Sequence, residues 1–477
     1  QNVAVGRAAL DANTTANDNT ACGHAALTTN TTGTRNVGVG RDALALNTTG
    51  SYNTAVGSFS LPDNTTGAQN TAVGDVSLYD NTTGINNTAV GHIAQYLGTT
   101  GSNNTAVGHR AGRANTTGND NVAIGHYALD QNTASHNVGV GNSALGANTT
   151  GNQNCAVGSA ALASNTTGTE NTAVGYYAAH ALTTGTDNTA FGAQALYLST
   201  TGSYNTAIGA YALDAVVTGN NNTAIGWGAL TTLTTGSQNV AAGVEAAETL
   251  TTGANNVSIG FRSMHVITTG DKNHAIGGYA LQSVTTGNNN IALGYNTAGS
   301  VTTADDNVCV GTESGVNITT GTGNNCIGKE TLKAVTTGDY NTGIGNQSGY
   351  YVTTGDNNLM LGRGAGGNGA PSGNVSTASN IVCLGNNSIT DLYCADTSIS
   401  SSDARDKTDV ENFTHGLSWI KELRPVTYRW DKRSWYGDDE DSKGTPDGSK
   451  KRARIHIGFL AQEAIEVEKK FGYGDKK

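Results

Sequence analysis

The sequence predicts a mainly β fold: a parallel β-solenoid (β-roll) built on a 17-residue repeat, assembled as a trimer and followed by a small α+β C-terminal domain. Three observations predict it. A glycine recurs every 17 residues, at Gly6, Gly23, Gly40, Gly57, Gly74, Gly91, Gly108 and Gly125, then from Gly141 at the same step to Gly362. Each sits in the phrase Asn-Thr-Ala-Val-Gly or a near variant, with Asn-Thr-Thr-Gly or a variant further along the unit. Composition and charge then change abruptly near residue 400. A unit this short has no independent core, so it stacks, each coil covering the hydrophobic face of its neighbour.

The coil Asn53–Gln69, NTAVGSFSLPDNTTGAQ, shows the expected local structure. Asn53 to Val56 alternates polar and apolar, the mark of a short strand with one buried face. Gly57 ends the strand, supplying a conformation or a close approach that a side chain would block. Ser58 to Leu61 reads as a second short strand anchored by Leu61. Asn64-Thr65-Thr66-Gly67 is the turn back, with Gly67 suited to positive φ. The predicted coil has two short strands and two turns, and it buries a Val or Ile, a Leu and a few Ala. A helix is excluded, because Gly and β-branched residues dominate and the apolar spacing is not 3.6.

Stacking places Asn over Asn, Thr over Thr and Val over Val, so ladders of like side chains satisfy one another between parallel strands. Up to Gly385 there are 23 glycine-marked units, which at ~4.8 Å each make a rod of roughly 110 Å. The step from Gly125 to Gly141 is 16 residues, a one-residue deletion near Gln131–His136. The step from Gly362 to Gly385 is 23, and its Gly-rich insertion, Gly364–Gly373, is expected to bulge as a loop. The core of one coil is thin against an ordering cost on the order of 1–2 kcal/mol per residue. An oligomer that buries a second face would offset this, and threefold assembly is the natural closure of a fibre.

Charge separates two parts. Residues 402–477 hold 16 Lys and Arg against 15 Asp and Glu, and residues 1–401 hold 10 against 22, so the repeat carries −12 of the net −11 and the tail +1. Three of the four Trp (Trp419, Trp430, Trp435) also lie in the tail. The domains read as a shaft at 1–385, an extended neck at 386–401 and a C-terminal domain at 402–477. A weakly acidic, Thr- and Asn-rich surface argues against nucleic acid as a partner. No apolar run reaches membrane-spanning length, so no membrane insertion is expected. The chain begins in mid-repeat at Gln1, which predicts a missing N-terminal attachment segment. Cys22, Cys309, Cys326 and Cys383 occupy the Ala-Val slots and read as small buried hydrophobes with free thiols; the strand spacing exceeds what a relaxed disulfide allows between Cys309 and Cys326. No cofactor and no metal is expected.

The Asn-Thr-Ala-Val-Gly phrase over residues 2–385 resembles the head repeats of trimeric autotransporter adhesins of the YadA type, which implies a trimeric, left-handed parallel β-roll. Those heads commonly repeat at a shorter period, so the second turn here is longer. In the tail, Ser-Ser-Asp-Ala-Arg-Asp-Lys (Ser401 to Lys407), Leu423-Arg424-Pro425-Val426 and Gly458-Phe459-Leu460-Ala461-Gln462-Glu463 occur in order. Together these blocks resemble the peptidase S74 family, the intramolecular chaperone at the C-terminus of phage tail fibres and endosialidase tailspikes.

That resemblance implies a chemistry. Ser402 would be the nucleophile and Lys407 the base, cutting the bond between Ser401 and Ser402, with Asp403, Arg405, His456 and Gln462 in support. A Ser-Lys pair needs a neutral amine, so Lys407 would be desolvated in the assembled state. The activity implied is single-turnover autoproteolysis with no external substrate. The family's domain continues into a long C-terminal helix that this chain only begins at Glu463–Phe471, so the domain reads either as short or as truncated. The implied protein is an extracellular virion tail fibre: a homotrimer, joined to a baseplate or tail through its missing N-terminus and binding a host cell-surface receptor, a glycan or a surface protein. The alternative is a bacterial trimeric surface adhesin without autoproteolysis. A third reading, a polysaccharide depolymerase, is disfavoured because no paired carboxylates or histidines at stacked positions would support glycoside hydrolysis.

Overall fold

The computed structural model describes residues 1–391, 416–429, 449, 456–458 and 460–471. The chain divides into two compact units, Gln1–Leu392 and Tyr393–Lys477. The first is a parallel β-solenoid of 23 three-residue strands, from β1 (Val3–Val5) to β23 (Val382–Leu384). Each strand pairs in parallel with the next at the repeat step. In β4 (Thr54–Val56) and β5 (Thr71–Val73), for example, Thr54 faces Thr71, Ala55 faces Ala72 and Val56 faces Val73.

The strand has one buried position. Ala55 is fully buried, whereas Val56 is 37% exposed on the outer face. The sequence reading placed a Val or Ile inside each coil; the structure places it outside. The physical reason is pleat parity: Ala at the central slot points inward, so its two neighbours point out. The core is therefore Ala from the strand plus one Leu from the opposite side, as in Leu27, Leu44, Leu61 and Leu78. Cys22 shares the outward slot and is exposed, correcting the expectation that it is buried; Cys309, Cys326 and Cys383 are buried. Cys309 and Cys326 are aligned partners in neighbouring strands, and both thiols are free.

The second predicted strand of the coil is absent among the described residues, and a different extended backbone replaces it. Phe59 and Leu61 have φ of 51° and 53°, in the left-handed region, with Ser60 between them. The amides of these two left-handed residues point to opposite neighbours. The Phe59 N–H donates back to Arg41 O at 2.8 Å, and the Leu61 N–H donates forward to Ser77 O at 2.9 Å. This side of the coil is thus bonded to both adjacent coils without being a β-strand.

Two glycine columns hold the coils at this spacing for different reasons. Gly74 has φ of +134°, and a Cβ there would lie 2.6 Å from Gly91 O in the next coil. Gly67 does not have the positive φ expected of it; a Cβ there would strike the Asn64 side chain and Gly84 O. Close approach, and not chirality, excludes a side chain at that turn.

Buried asparagines run through the stack. Asn70 donates its N–H to Asn53 Oδ1 at 2.9 Å and its Nδ2 to Gly84 O at 2.8 Å, while its own Oδ1 accepts the Asn87 N–H at 2.9 Å. A second ladder, Asn47 to Asn64 to Asn81, links Nδ2 to Oδ1 at 2.8 and 2.9 Å. After Asn165 this second column turns mainly aliphatic: Leu182, Val216, Leu233, Leu250, Ile267 and Val284 are fully buried in the same slot, with buried Ser199 the exception between Leu182 and Val216. The C-terminal half of the shaft therefore has a more apolar core. Threonines add an outer ladder, as where Thr65 Oγ1 donates to Thr82 O at 3.0 Å.

Both irregular steps keep the strand register. Across the 16-residue step the Asn137 N–H still donates to Asn121 Oδ1 at 2.9 Å, and Asn121 Nδ2 reaches Ala134 O, where other coils present a glycine. Across the 23-residue step, β22 (Leu359–Leu361) and β23 remain in parallel register, and the insertion forms the expected loop. In the second unit, helix α1 (Gly416–Glu422) precedes β24 (Val426–Tyr428), which pairs antiparallel with β25 (His456–Gly458); helix α2 (Ala461–Lys470) follows.

Replacing Gly74 by Ala should open the local stack, and Asn70→Leu should orphan the Asn87 N–H and the Gly84 carbonyl at roughly 1–3 kcal/mol per group. Hydrogen exchange should show lost protection in the coils around residues 53–91 and none beyond residue 200; uniform protection would contradict this account.

Candidate functional site

Ser401, Ser402, Asp403, Arg405 and Lys407 lie outside the described residues, so their mutual geometry is not part of the structure. The neck residues from 392 onward and the acidic and basic runs at 438–441 and 450–454 also lie outside it. The two downstream sequence blocks are described, and the fold brings them together. Val426 of the LRPV block pairs with Gly458 of the GFLAQE block, and Tyr428 pairs with His456. Arg424 then clamps Glu463 with both arms of its fork, Nε to Oε2 at 3.1 Å and Nη2 to Oε1 at 2.5 Å. Hydrogen bonding to Arg424 lowers the Glu463 pKa, and the same bond raises that of Arg424.

A second pair, Lys470 Nζ to Glu422 Oε1 at 2.5 Å, ties the end of α2 to the end of α1. The ends of α2 also suit its dipole, with Glu463 in the first turn and Lys469 and Lys470 in the last. Gln462 is exposed in the first turn of α2, and His456 opens β25. Sequence blocks separated by more than thirty residues thus form one small unit, stapled at each end of α2. Both ion pairs are solvent-exposed, so each contributes about 0–1 kcal/mol and acts mainly through its geometry.

The shaft surface carries chemistry that the sequence reading did not expect. Residues just after the repeat glycines form columns. His92, His109 and His126 stack on consecutive coils, with ring centroids 5.4 and 5.1 Å apart. His92 Nε2 lies 3.6 Å from Asp75, and the Arg110–Asp130 ion pair and Tyr127 flank the lower rings. Desolvation lowers the His109 pKa, its histidine neighbours and Arg110 lower it further, and Asp130 opposes them. Glu245, Glu248 and His265 converge within 4.8 Å. Carboxylates and histidines thus do meet at stacked positions, although the sequence reading found none there that would support glycoside hydrolysis. Spacing could have found them: 92, 109 and 126 differ by the repeat, and Glu248 to His265 is one coil.

The carboxylates are nonetheless engaged. Arg262 Nε sits 2.5 Å from Glu245 Oε2, and His265 Nδ1 lies 3.1 Å from Glu248 Oε2. A cation would have to displace Arg262, and a hydrolytic pair would need one free carboxylate. The cluster reads as a surface charge network.

In class, then, the chain is a parallel β-solenoid shaft with a small α+β unit in its C-terminal part. Residues 402–473 match the peptidase S74 family, described as chaperone of endosialidase. That match and the solenoid together fit a phage tail fibre with a C-terminal chaperone. No curated protein and no solved structure matches the chain, so the resemblance to YadA-type heads gains no support. Among the described residues, no helix is long and apolar enough to cross a membrane.

Because desolvation and its cationic neighbours lower the His109 pKa, stability of the surrounding coils is complete above the unfolded value of about 6.5, falls as the pH drops below it, and levels off once the pH passes the lowered folded value. Hydrogen exchange at pH 7.5 and 5 should show selective loss of protection around residues 92–126, abolished in His109→Gln. Arg424→Ala should shift the melting of the C-terminal unit by no more than about 1 kcal/mol; a larger effect would mean that the clamp carries the unit.

Proposed function

We propose that this chain is the shaft and C-terminal chaperone of a homotrimeric viral tail fibre, a structural and receptor-binding protein. In this reading the chaperone aligns three chains and then releases itself by cleavage between Ser401 and Ser402. The observation that carries it is the peptidase S74 match at residues 402–473, C-terminal in sequence to a 23-strand parallel solenoid. Ser402 Oγ attacks the carbonyl carbon of Ser401 while Lys407, as a neutral amine, accepts the hydroxyl proton; the Ser401–Ser402 C–N bond breaks as that proton passes to the leaving amine of Ser402, and water then hydrolyses the resulting ester to free the two chains. Asp403, Arg405, His456 and Gln462 support the site, and no external substrate is involved.

The outward strand slots support self-association. Val56, Val90, Val107, Ile124, Ile208, Ile225 and Ile276 are each between 36% and 44% exposed and form a stripe along the sheet. Thr or an aliphatic residue fills most of the companion slot, so the face is nearly without charge. Isolated soluble proteins rarely leave a contiguous apolar stripe of this kind in water. Two further copies of the chain would cover it and supplement the thin core.

The need for a chaperone follows from the repeat. Coils that are nearly identical can pair one unit out of register at little local cost, because a 17-residue slip restores almost every contact. A C-terminal domain that joins three chains at one fixed point removes the ambiguity.

Wild-type protein on a denaturing gel should lose a fragment of 76 residues (402–477), and Ser402→Ala should abolish the loss; identical migration would refute cleavage. Light scattering should give three chains per particle for wild type. Ile208→Asp combined with Ile225→Asp should reduce the mass while circular dichroism stays β-rich; a wild-type monomer would refute the trimer.

A further inference from the structure

A cavity of the first unit lies where the repeat is broken. The step from Gly362 to Gly385 carries six residues more than the repeat. These residues fold as successive turns, with Gly367 N–H to Gly364 O at 3.2 Å, Ala370 N–H to Gly367 O at 2.8 Å and Gly373 N–H to Ala370 O at 2.9 Å. Val375 N–H returns to Gly366 O at 3.0 Å, and buried Ala370 and Val375 pin the loop to the core. The detour interrupts the columns that stack elsewhere and leaves a concavity of about 340 Å³. That volume falls at the lower end of the range for small-molecule sites, about 300–1,000 Å³.

Its lining is chemically specific. Tyr350 and Tyr351 stand edge to face, with centroids 4.9 Å apart. Gln347, Asn368 and Asn386 contribute amides, Arg363 contributes a guanidinium, and glycines between them leave backbone polar groups accessible. Asn368 Nδ2 donates to the Tyr351 hydroxyl at 3.3 Å and sets that ring. Arg363 has no ion pair among the described residues, whereas nearby Lys333 is held by Glu313 at 2.7 Å and Glu330 at 3.0 Å. An exposed, unpaired guanidinium beside two aromatic rings is a receptor for a planar anion.

We infer that this notch binds a saccharide carrying a carboxylate, such as a uronic acid unit at the end or along the edge of a glycan chain. The tyrosine faces take the apolar C–H face of the sugar, the amides take its hydroxyls in both donor and acceptor roles, and Arg363 takes the carboxylate by a bidentate pair. A polyphosphate fits worse, because it has no apolar C–H face to lay against the Tyr350 and Tyr351 rings. A peptide fits worse, because the cavity has no deep apolar pocket for a side chain.

This deepens the receptor-binding part of the proposed function and rests on it, but it can fail separately. The test is calorimetry of the full chain against alginate and pectate hexamers, with neutral hexamers of glucose and mannose as comparison and polyglutamate as a carboxylate without sugar. Uronate hexamers should bind at least tenfold more tightly than the neutral ones, and polyglutamate should not bind. Arg363→Ala should remove the preference for uronate, Tyr351→Ala should weaken both sugar classes, and Tyr176→Ala, on a distant coil, should change nothing. Thermal melts of Arg363→Ala should match wild type, since the side chain is exposed. Absence of saccharide binding, binding unchanged by Arg363→Ala, or equal binding of polyglutamate would overturn the inference. If the chain still trimerises and releases its fragment in any of these cases, only this inference falls and the fibre reading stands.

Discussion

Everything in the shaft depends on superposition of identical positions one coil apart. Backbone bonds run from coil to coil, and the asparagine column adds side-chain bonds of the same period, with Asn53, Asn70 and Asn87 each accepting from the next backbone and donating to a turn carbonyl. A buried amide is costly unless every group is paired, and here the repeat itself supplies the partner. Any residue that shifts one coil relative to the next breaks several such bonds at once. The glycine columns, the left-handed residues opposite the strand and the ladders of Thr are consequences of meeting that condition at a spacing of one strand.

The same condition explains how the shaft varies. Inward columns accept single replacements that stay buried, as where Ser258, Cys309 and Met360 take the place of the strand Ala. The Asn column that ends at Asn165 and continues, apart from Ser199, as Leu182, Val216 and Leu233 is a larger change, in which a hydrogen-bonded ladder is exchanged for aliphatic packing of equal period. Outward columns also vary singly, and they hold the histidine stack at 92, 109 and 126 and the charged network around Arg262. Where the chain inserts residues, after Gly362, the strand ladder closes again at β23 and all of the disturbance is displaced outward, which is why the concavity forms there.

The legible parts of the sequence were those set by period and by strong motifs. The recurring glycines give the solenoid, its parallel register and both irregular steps, and the ordered S-D-x-R-x-K, LRPV and GFLAQE blocks give the C-terminal family. The errors share one cause. Val56 was placed inside and Gly67 was assigned a positive φ because both were judged from local pattern alone. An alternation of polar and apolar residues says which side chains share a face, but not which face is covered. Leu61 illustrates the same limit: its left-handed φ follows from bonds to both neighbouring coils, which no single unit contains.

The sequence by itself therefore determined the repeat, the number of coils, the break near residue 400 and the family of the C-terminal segment, since these depend on residue order alone. Tertiary structure decided which side of the strand is core, because that depends on what the opposite wall of the coil supplies. It also decided that Arg424 and Glu463 meet, that histidines a repeat apart stack, and that the insertion after Gly362 opens a lined cavity. Each of these is a relation between residues distant in the chain, fixed only when the coils or strands are brought into register.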